Sequence, residues 1–217
     1  MNKNLKAVFF GSIGTIAETS EIQRRSYNLA FKRLNFDCYW NVANYCEMLK
    51  IPGGKERIKN FTIPNISDDE VNKIHNLKEE IYAELIEEED ISRIEFVEVF
   101  HHSKASDLKV GLITTTSRKN IESLSKALED KVNFNDFDII TTSKDCFNPK
   151  PNPEIYRNAL KTIGVSPCEA IAIEDTQVNL GASIAADINS ILYPGEYSNY
   201  NKEVKPSFNL MERIFQI

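Results

Sequence analysis

The chain has 217 residues, 41% of them hydrophobic, which allows one sizeable core plus a smaller second unit. Its net charge of -6 and pI near 5.3 carry no basic footprint for nucleic acid. No apolar run approaches the roughly 18 residues a membrane span needs, so no membrane partner is expected.

In chain order, Met1-Asn2-Lys3-Asn4 leads straight into an apolar run over residues 5–10, and no signal peptide is expected. That run reads as a buried strand, Gly11 to Gly14 turn it sharply, and Glu18, Thr19 and Ser20 open a helix. Strand, glycine turn and helix is how an open α/β sheet places a loop at the carboxyl end of a strand, where such folds bind ligands. From Glu21 to about Ile91 the pattern is helical. Tyr27, Ala30, Phe31 and Leu34 mark one apolar face, and a second helix is expected over 40–49 with Tyr45, Met48 and Leu49 inward. Ile51-Pro52-Gly53-Gly54 breaks it, and Lys55 restarts a helix. Ser67-Asp68-Asp69-Glu70 is a capping box opening a long helix with Val71, Ile74, Leu77, Ile81 and Leu85 inward and a solvated acidic end.

After Ile91 short apolar bursts at 110–113, 137–140, 170–173 and 188–192 alternate with helical windows beginning at Ser117, Asn152 and Gln177. This rhythm predicts a doubly wound parallel sheet of the α/β class. The 5–10 strand has no other sheet to join, so residues 1–18 and 92–217 should form the α/β core, with 19–91 a helical insertion after the first strand. A polar loop is expected over 197–206 before a short terminal helix. Cys38, Cys46, Cys146 and Cys168 are scattered without a CxxC pair, which fits idle thiols in a reducing cytosol better than a metal or disulfide site.

Four stretches carry candidate chemistry. They are Phe10-Gly11-Ser12-Ile13-Gly14-Thr15-Ile16, Leu112-Ile113-Thr114-Thr115-Thr116-Ser117, Asn148-Pro149-Lys150-Pro151-Asn152-Pro153-Glu154-Ile155-Tyr156 and Ala170-Ile171-Ala172-Ile173-Glu174-Asp175-Thr176. Hydroxyls and strand-end N–H groups suit phosphate oxygens, a lysine suits them as a point charge, and paired carboxylates suit a hard cation. Each also has a plain structural reading. Thr115 to Ser117 can cap the helix near Arg118, Asn152 can be an N-cap with Pro153 at the first helical position, and Glu174-Asp175 can start the next helix.

Together these stretches resemble the four motifs of the haloacid-dehalogenase-like phosphatases and phosphomutases, whose helical cap is likewise inserted after the first motif. The resemblance implies that Thr115 and the N–H of Thr116 hold the transferring phosphate. It makes Lys150 the bridge between phosphate and carboxylates, and gives Glu174 and Asp175 a share in Mg²⁺. The insertion resembles the β-phosphoglucomutase and xylulose-bisphosphate phosphatase branch. Gln23-Arg24-x-x-Tyr27-Asn28-x-x-Phe31 is similar to a His-Arg-x-x-Phe-Asn-x-x-Phe pattern there, with Gln23 in place of the histidine. Lys50, Lys55 and Arg57 fall in its substrate-gripping loop, where they meet a second phosphate or simply decorate a turn. A phosphorylated small molecule, foremost a sugar phosphate, is the implied ligand.

The chain departs from the family where the chemistry is densest. Gly11 stands at the nucleophilic aspartate and Ile13 at the acid/base aspartate, while Asn179 and Asp187 replace two glycines. A non-catalytic binding protein with a weakened Mg²⁺ site is therefore expected. The alternative is an altered, non-covalent mechanism in which Glu18, or a metal on Glu174 and Asp175, activates water. Ser12 is expected to point away from residues 11 and 13 by strand alternation.

Overall fold

The computed structural model describes residues 4–51, 53–197 and 209–215. Five strands form one parallel sheet: β1 (Ala7–Phe10), β2 (Lys109–Leu112), β3 (Ile139–Ile140), β4 (Ala170–Glu174) and β5 (Asn189–Leu192), in spatial order β3-β2-β1-β4-β5. The first strand in sequence is thus the central one, pairing Phe10 with Leu112 on one side and with Ile173 on the other. Burial on both faces explains its unbroken apolar run. Val8 and Phe10 enter one apolar cluster, and Ala7 and Phe9 the opposite one.

Nine helices occur among the described residues: α1 (Ser20–Arg33), α2 (Val42–Met48), α3 (Gly54–Phe61), α4 (Asp68–Leu85), α5 (Ile94–Ala105), α6 (Arg118–Ala127), α7 (Glu154–Ile163), α8 (Gln177–Ile184) and α9 (Leu210–Phe215). Of the layers on the sheet, α5, α6 and α9 cover the Val8–Phe10 face, and α7 and α8 cover the other. Phe10 meets Phe96 of α5 edge to face at 5.0 Å, and burying one such ring is worth about 1.5–3 kcal/mol. Helices α1 to α4 close a separate apolar cluster around Tyr27, Phe31, Trp40 and Tyr45. Trp40 is its anchor, with its ring 4.7 Å from Tyr27 and its Nε1–H donating to the Phe61 carbonyl at 3.0 Å. The capping box at Ser67 and Glu70 is formed as the sequence predicts.

Several boundaries differ from the sequence reading. Helix α5 has no counterpart in the sequence pattern, because its apolar residues adjoin the point where the period changes. The strand expected over 137–140 keeps only Ile139–Ile140, because Asp138 turns its carboxylate back onto the Val110 N–H at 2.8 Å and ends the ladder. Pro153, not Asn152, is the N-cap of α7, and the Asn152 side chain accepts from the Glu154 N–H at 3.0 Å. Apart from Tyr197, the expected polar loop over 197–206 lies outside the described residues.

Candidate anion pocket at the carboxyl edge of the sheet

The carboxyl ends of β1, β2 and β4 meet at one place. Beyond β1 the Gly11 N–H still donates to the Ile173 carbonyl at 2.9 Å, after which the chain coils, with Gly14 at φ +77° and the Ile16 N–H on the Ser12 carbonyl at 2.9 Å. A Cβ at residue 14 would strain that backbone and approach Asp175 Oδ2 to 2.9 Å. Because the segment is coiled, alternation does not govern Ser12. Its Oγ lies 2.9 Å from Thr114 Oγ1, and the residue lines the same pocket as Ile13.

At the end of β2 all three threonines line the pocket, but they divide the work differently from the expectation. Thr114 is the buried hub. Its N–H donates to Thr141 Oγ1 at 2.8 Å, and its own hydroxyl oxygen accepts from the Thr116 N–H at 3.1 Å. The Thr116 N–H expected to face a phosphate is therefore engaged within the chain. Its hydroxyl accepts from Asn120 Nδ2 at 2.9 Å, while Ser117 is the N-cap of α6.

Lys150 and Glu174 form a buried ion pair. The ammonium also donates to the Ile113 carbonyl at 2.7 Å, and the Tyr156 hydroxyl donates to the same carboxylate oxygen, Glu174 Oε1. Burial and the Glu174 charge hold the Tyr156 hydroxyl well above its ordinary pKa. The other oxygen, Oε2, is buried without a hydrogen-bond partner, as is Thr15 Oγ1. Oε2 occupies the space a side chain would take at residue 11, since a Cβ there would overlap it and come within 3.0 Å of Thr15 Oγ1. Asp175 accepts from Asn179 Nδ2 at 2.9 Å. Loss of solvent, then the neighbouring Glu174 charge, pushes its carboxyl up to about 7, against the pull of Asn179 and Lys150.

This donor set does not fit a Mg²⁺ site as it stands. One Glu174 oxygen is saturated by Lys150 and Tyr156, burial and the Glu174 charge raise the Asp175 carboxyl, and residue 11 offers no carboxylate. Among the described residues no group of three or more His, Cys, Asp or Glu side chains could hold a metal ion. Mg²⁺ demands near-ideal octahedral oxygen geometry, and two compromised carboxylates supply little of it.

From the helical segment, Ser20, Gln23, Tyr45, Leu49, Ile51, Gly53, Gly54 and Arg57 line the pocket. Of the four basic residues expected there, only Arg57 does so. Arg24 is bound to Glu21 and to the Trp40 carbonyl at 2.8 Å, Lys50 pairs with Glu47 at 2.5 Å, and Lys55 donates to Asn72 Oδ1 at 2.7 Å. Glu18, considered as a base for water, accepts from the backbone N–H groups of Ser20 and Glu196 and does not line the pocket. Sequence reasoning missed Ser12, Thr114 and Tyr156. It also missed the buried Lys78, whose ammonium lies 5.2 Å from the Tyr27 ring centroid and 4.9 Å from that of Tyr82.

Comparison with known proteins places this geometry in context. Residues 14–193 match the haloacid dehalogenase-like hydrolase family. Protein CbbY of Rhodobacter capsulatus is 33% identical over 199 residues, covering 89% of this chain and 87% of its own length. A crystal structure of a CbbY point mutant from Rhodobacter sphaeroides in complex with xylulose-(1,5)bisphosphate is similar at TM-score 0.84 and 31% identity, covering 93% of this chain and 91% of that one. CbbY of the same organism in complex with phosphate also gives TM-score 0.84, at 32% identity and 91% and 90% coverage. β-Phosphoglucomutase from Clostridium difficile, at 20% identity and TM-score 0.73 over 87% of this chain and 84% of that one, shares the fold.

Proposed function

This chain belongs to the haloacid dehalogenase-like hydrolase family, and on that premise we propose that it binds a phosphorylated small molecule without turning it over. In this reading residues 1–18 and 92–217 are the core, and 19–91 the cap that closes over the ligand. Thr115, the hydroxyl of Thr116 and Lys150 receive the anion, with Ser12 and Thr114 fixing the loops that present them. Of the four basic cap residues expected to grip the ligand, Arg57 remains to meet its far end. The CbbY structures with xylulose-(1,5)bisphosphate and with phosphate support a phosphorylated ligand class.

One observation carries the non-catalytic part: the side-chain space of residue 11 is filled by the Glu174 carboxylate, already paired to Lys150 and Tyr156. Without a carboxylate at residue 11 the covalent route is gone, and Ile13 can neither give nor take a proton. Losing acid–base help alone costs roughly 10²–10⁴ in rate. Uncatalysed phosphate-monoester hydrolysis needs up to about 10²¹-fold acceleration, which clamping by hydroxyls and one ammonium cannot supply. Mg²⁺ affinity is reduced for the same reason, since the ammonium of Lys150 already satisfies the carboxylate a metal would use.

Steady-state hydrolysis of p-nitrophenyl phosphate and of xylulose-1,5-bisphosphate tests the proposal. Release of phosphate at background rate is expected for the wild type. Turnover at rates ordinary for enzymes, lost in a Lys150→Met, Glu174→Gln variant, would refute it.

A further inference from the structure

We propose that residues 193–197, the segment that follows β5, are a latch that holds helices α1 and α2 over the pocket, with the contact between Tyr197 and Glu21 as its releasable catch. The inference goes beyond the binding reading and does not depend on what the pocket holds.

Tyr197 carries the argument. It follows a strand of the sheet, yet it is buried in the apolar cluster that α1 to α4 close around Tyr27, Phe31, Trp40 and Tyr45. Its ring meets that of Tyr45 edge to face at 6.3 Å, and Tyr45 itself lines the pocket. Its hydroxyl donates to Glu21 Oε2 at 2.5 Å. The same carboxylate accepts from Arg24, which in turn donates to the Trp40 carbonyl at 2.8 Å. One residue earlier, the Glu196 N–H donates to Glu18 Oε2 at 2.6 Å, while Glu18 Oε1 accepts from the Ser20 N–H at 3.0 Å. Ser20 and Gln23, in the first turn of α1, line the pocket as well. One short segment therefore grips both the pocket-lining start of α1 and the pocket-lining ring of α2.

The foot of the segment is fixed on the sheet side. The Tyr193 hydroxyl donates to Glu95 Oε2 at 2.6 Å, and the Arg93 guanidinium lies 3.5 Å from the Tyr193 ring centroid and donates to the Pro194 carbonyl at 3.1 Å. Arg93 also donates to the Gly14 carbonyl, beside the two places where the chain crosses between sheet and helices. There Ala17 bridges Ser92, and the Glu18 N–H donates to the Ile91 carbonyl at 2.9 Å. Ile22 and Ile86, a few residues from these crossings, pack into the Val8–Phe10 cluster and make an apolar pivot. Domain closure uses a few such element-terminal residues as hinges. Helix α4 is tied to the sheet layer through α6, with Glu79 accepting from Ser117 and Glu87 from Lys126. For α1 and α2 the latch supplies that tie. The Glu21 side chain is 33% exposed, so water replaces the Tyr197 hydroxyl at little cost when the catch opens.

Pulse alkylation of the full chain with N-ethylmaleimide, read cysteine by cysteine by peptide mass spectrometry, tests the latch. The reporter is Ser20→Cys, a buried position on the pocket wall, while the native Cys38 among the helices and Cys146 on the sheet side report general unfolding. Tyr197→Phe keeps the ring and removes the hydroxyl. It should quicken alkylation at residue 20 about tenfold, the factor by which a hydrogen bond to a charged group favours the closed state. Tyr197→Ala also removes the packing on Tyr45 and should quicken it further. Rates at Cys38 and Cys146 should match those of the chain carrying Ser20→Cys alone. An unchanged rate at residue 20 in both variants overturns the proposal. So does a rise shared equally by Cys38 and Cys146, which would make Tyr197 a contributor to general stability and not a latch. No ligand is needed, so the outcome is separate from that of the binding reading.

Discussion

At residue 11 a missing side chain and a displaced carboxylate are two views of one arrangement. Glu174 reaches into the space above Gly11, and its charge is balanced by Lys150 and by a hydroxyl from Tyr156. Breaking a buried pair leaves an uncompensated charge, so Glu174→Gln or Lys150→Met alone should each cost about 3–5 kcal/mol. The double variant should cost clearly less than their sum, because each change removes the charge the other would strand. Urea unfolding of the three proteins measures this, and simple additivity would show that the two groups do not depend on each other. Gly11→Asp with Ile13→Asp meets the same obstacle, since the new carboxylate must first expel Glu174. We expect a lowered urea midpoint before any gain of Mg²⁺ binding; an unchanged midpoint would mean that Glu174 moves freely. The strings around 10–16, 148–156 and 170–176 made these positions legible through their resemblance to the family's motifs. The Tyr156 and Thr114 roles were not legible, since they arise from contacts between residues 18 and 102 positions apart.

Helix α4 joins a legible feature to an illegible one. Its capping box was plain from Ser67 and Glu70, and Ser67→Ala should cost about 1 kcal/mol of stability in urea unfolding. An unaltered midpoint would mean that the helix end is held by tertiary contacts alone. Lys78 was not legible, because its enclosure comes from Tyr27 on α1 as much as from Tyr82 on its own helix. Burial lowers its pKa from 10.5 to about 7, with Arg57 acting in the same direction and Glu79 opposing both. Between those values the unfolded chain binds more protons than the folded one, so stability should rise as pH climbs from about 7 towards 10.5. Lys78→Met should flatten that rise, as read from thermal midpoints across the range. Asp175 acts oppositely and lower down. With its pKa raised from 3.8 to about 7, the folded chain holds the extra proton, and stability should fall as pH rises across that interval. The same α4 helix reaches the core through Glu79, which accepts from the Ser117 hydroxyl at 2.9 Å and 3.1 Å at the start of α6.

For the whole molecule, the switch of hydrophobic period near residue 91 was enough to anticipate a parallel sheet with the first strand inside it. That outcome follows from burial on both faces of β1. Which basic residues reach the pocket was beyond the sequence, because Lys50, Lys55 and Arg57 share one turn and one helix yet only Arg57 lines the cavity. No helix among the described residues is long and apolar enough to cross a membrane. The central claim is that a phosphatase scaffold has kept an anion pocket and lost turnover. Phosphorus-31 NMR of phenyl phosphate with the protein at comparable concentration reads both halves at once. The account predicts a shifted or broadened ester resonance and no growth of the inorganic phosphate signal over hours. An unperturbed ester line, or inorganic phosphate accumulating at an enzymatic rate, would contradict it.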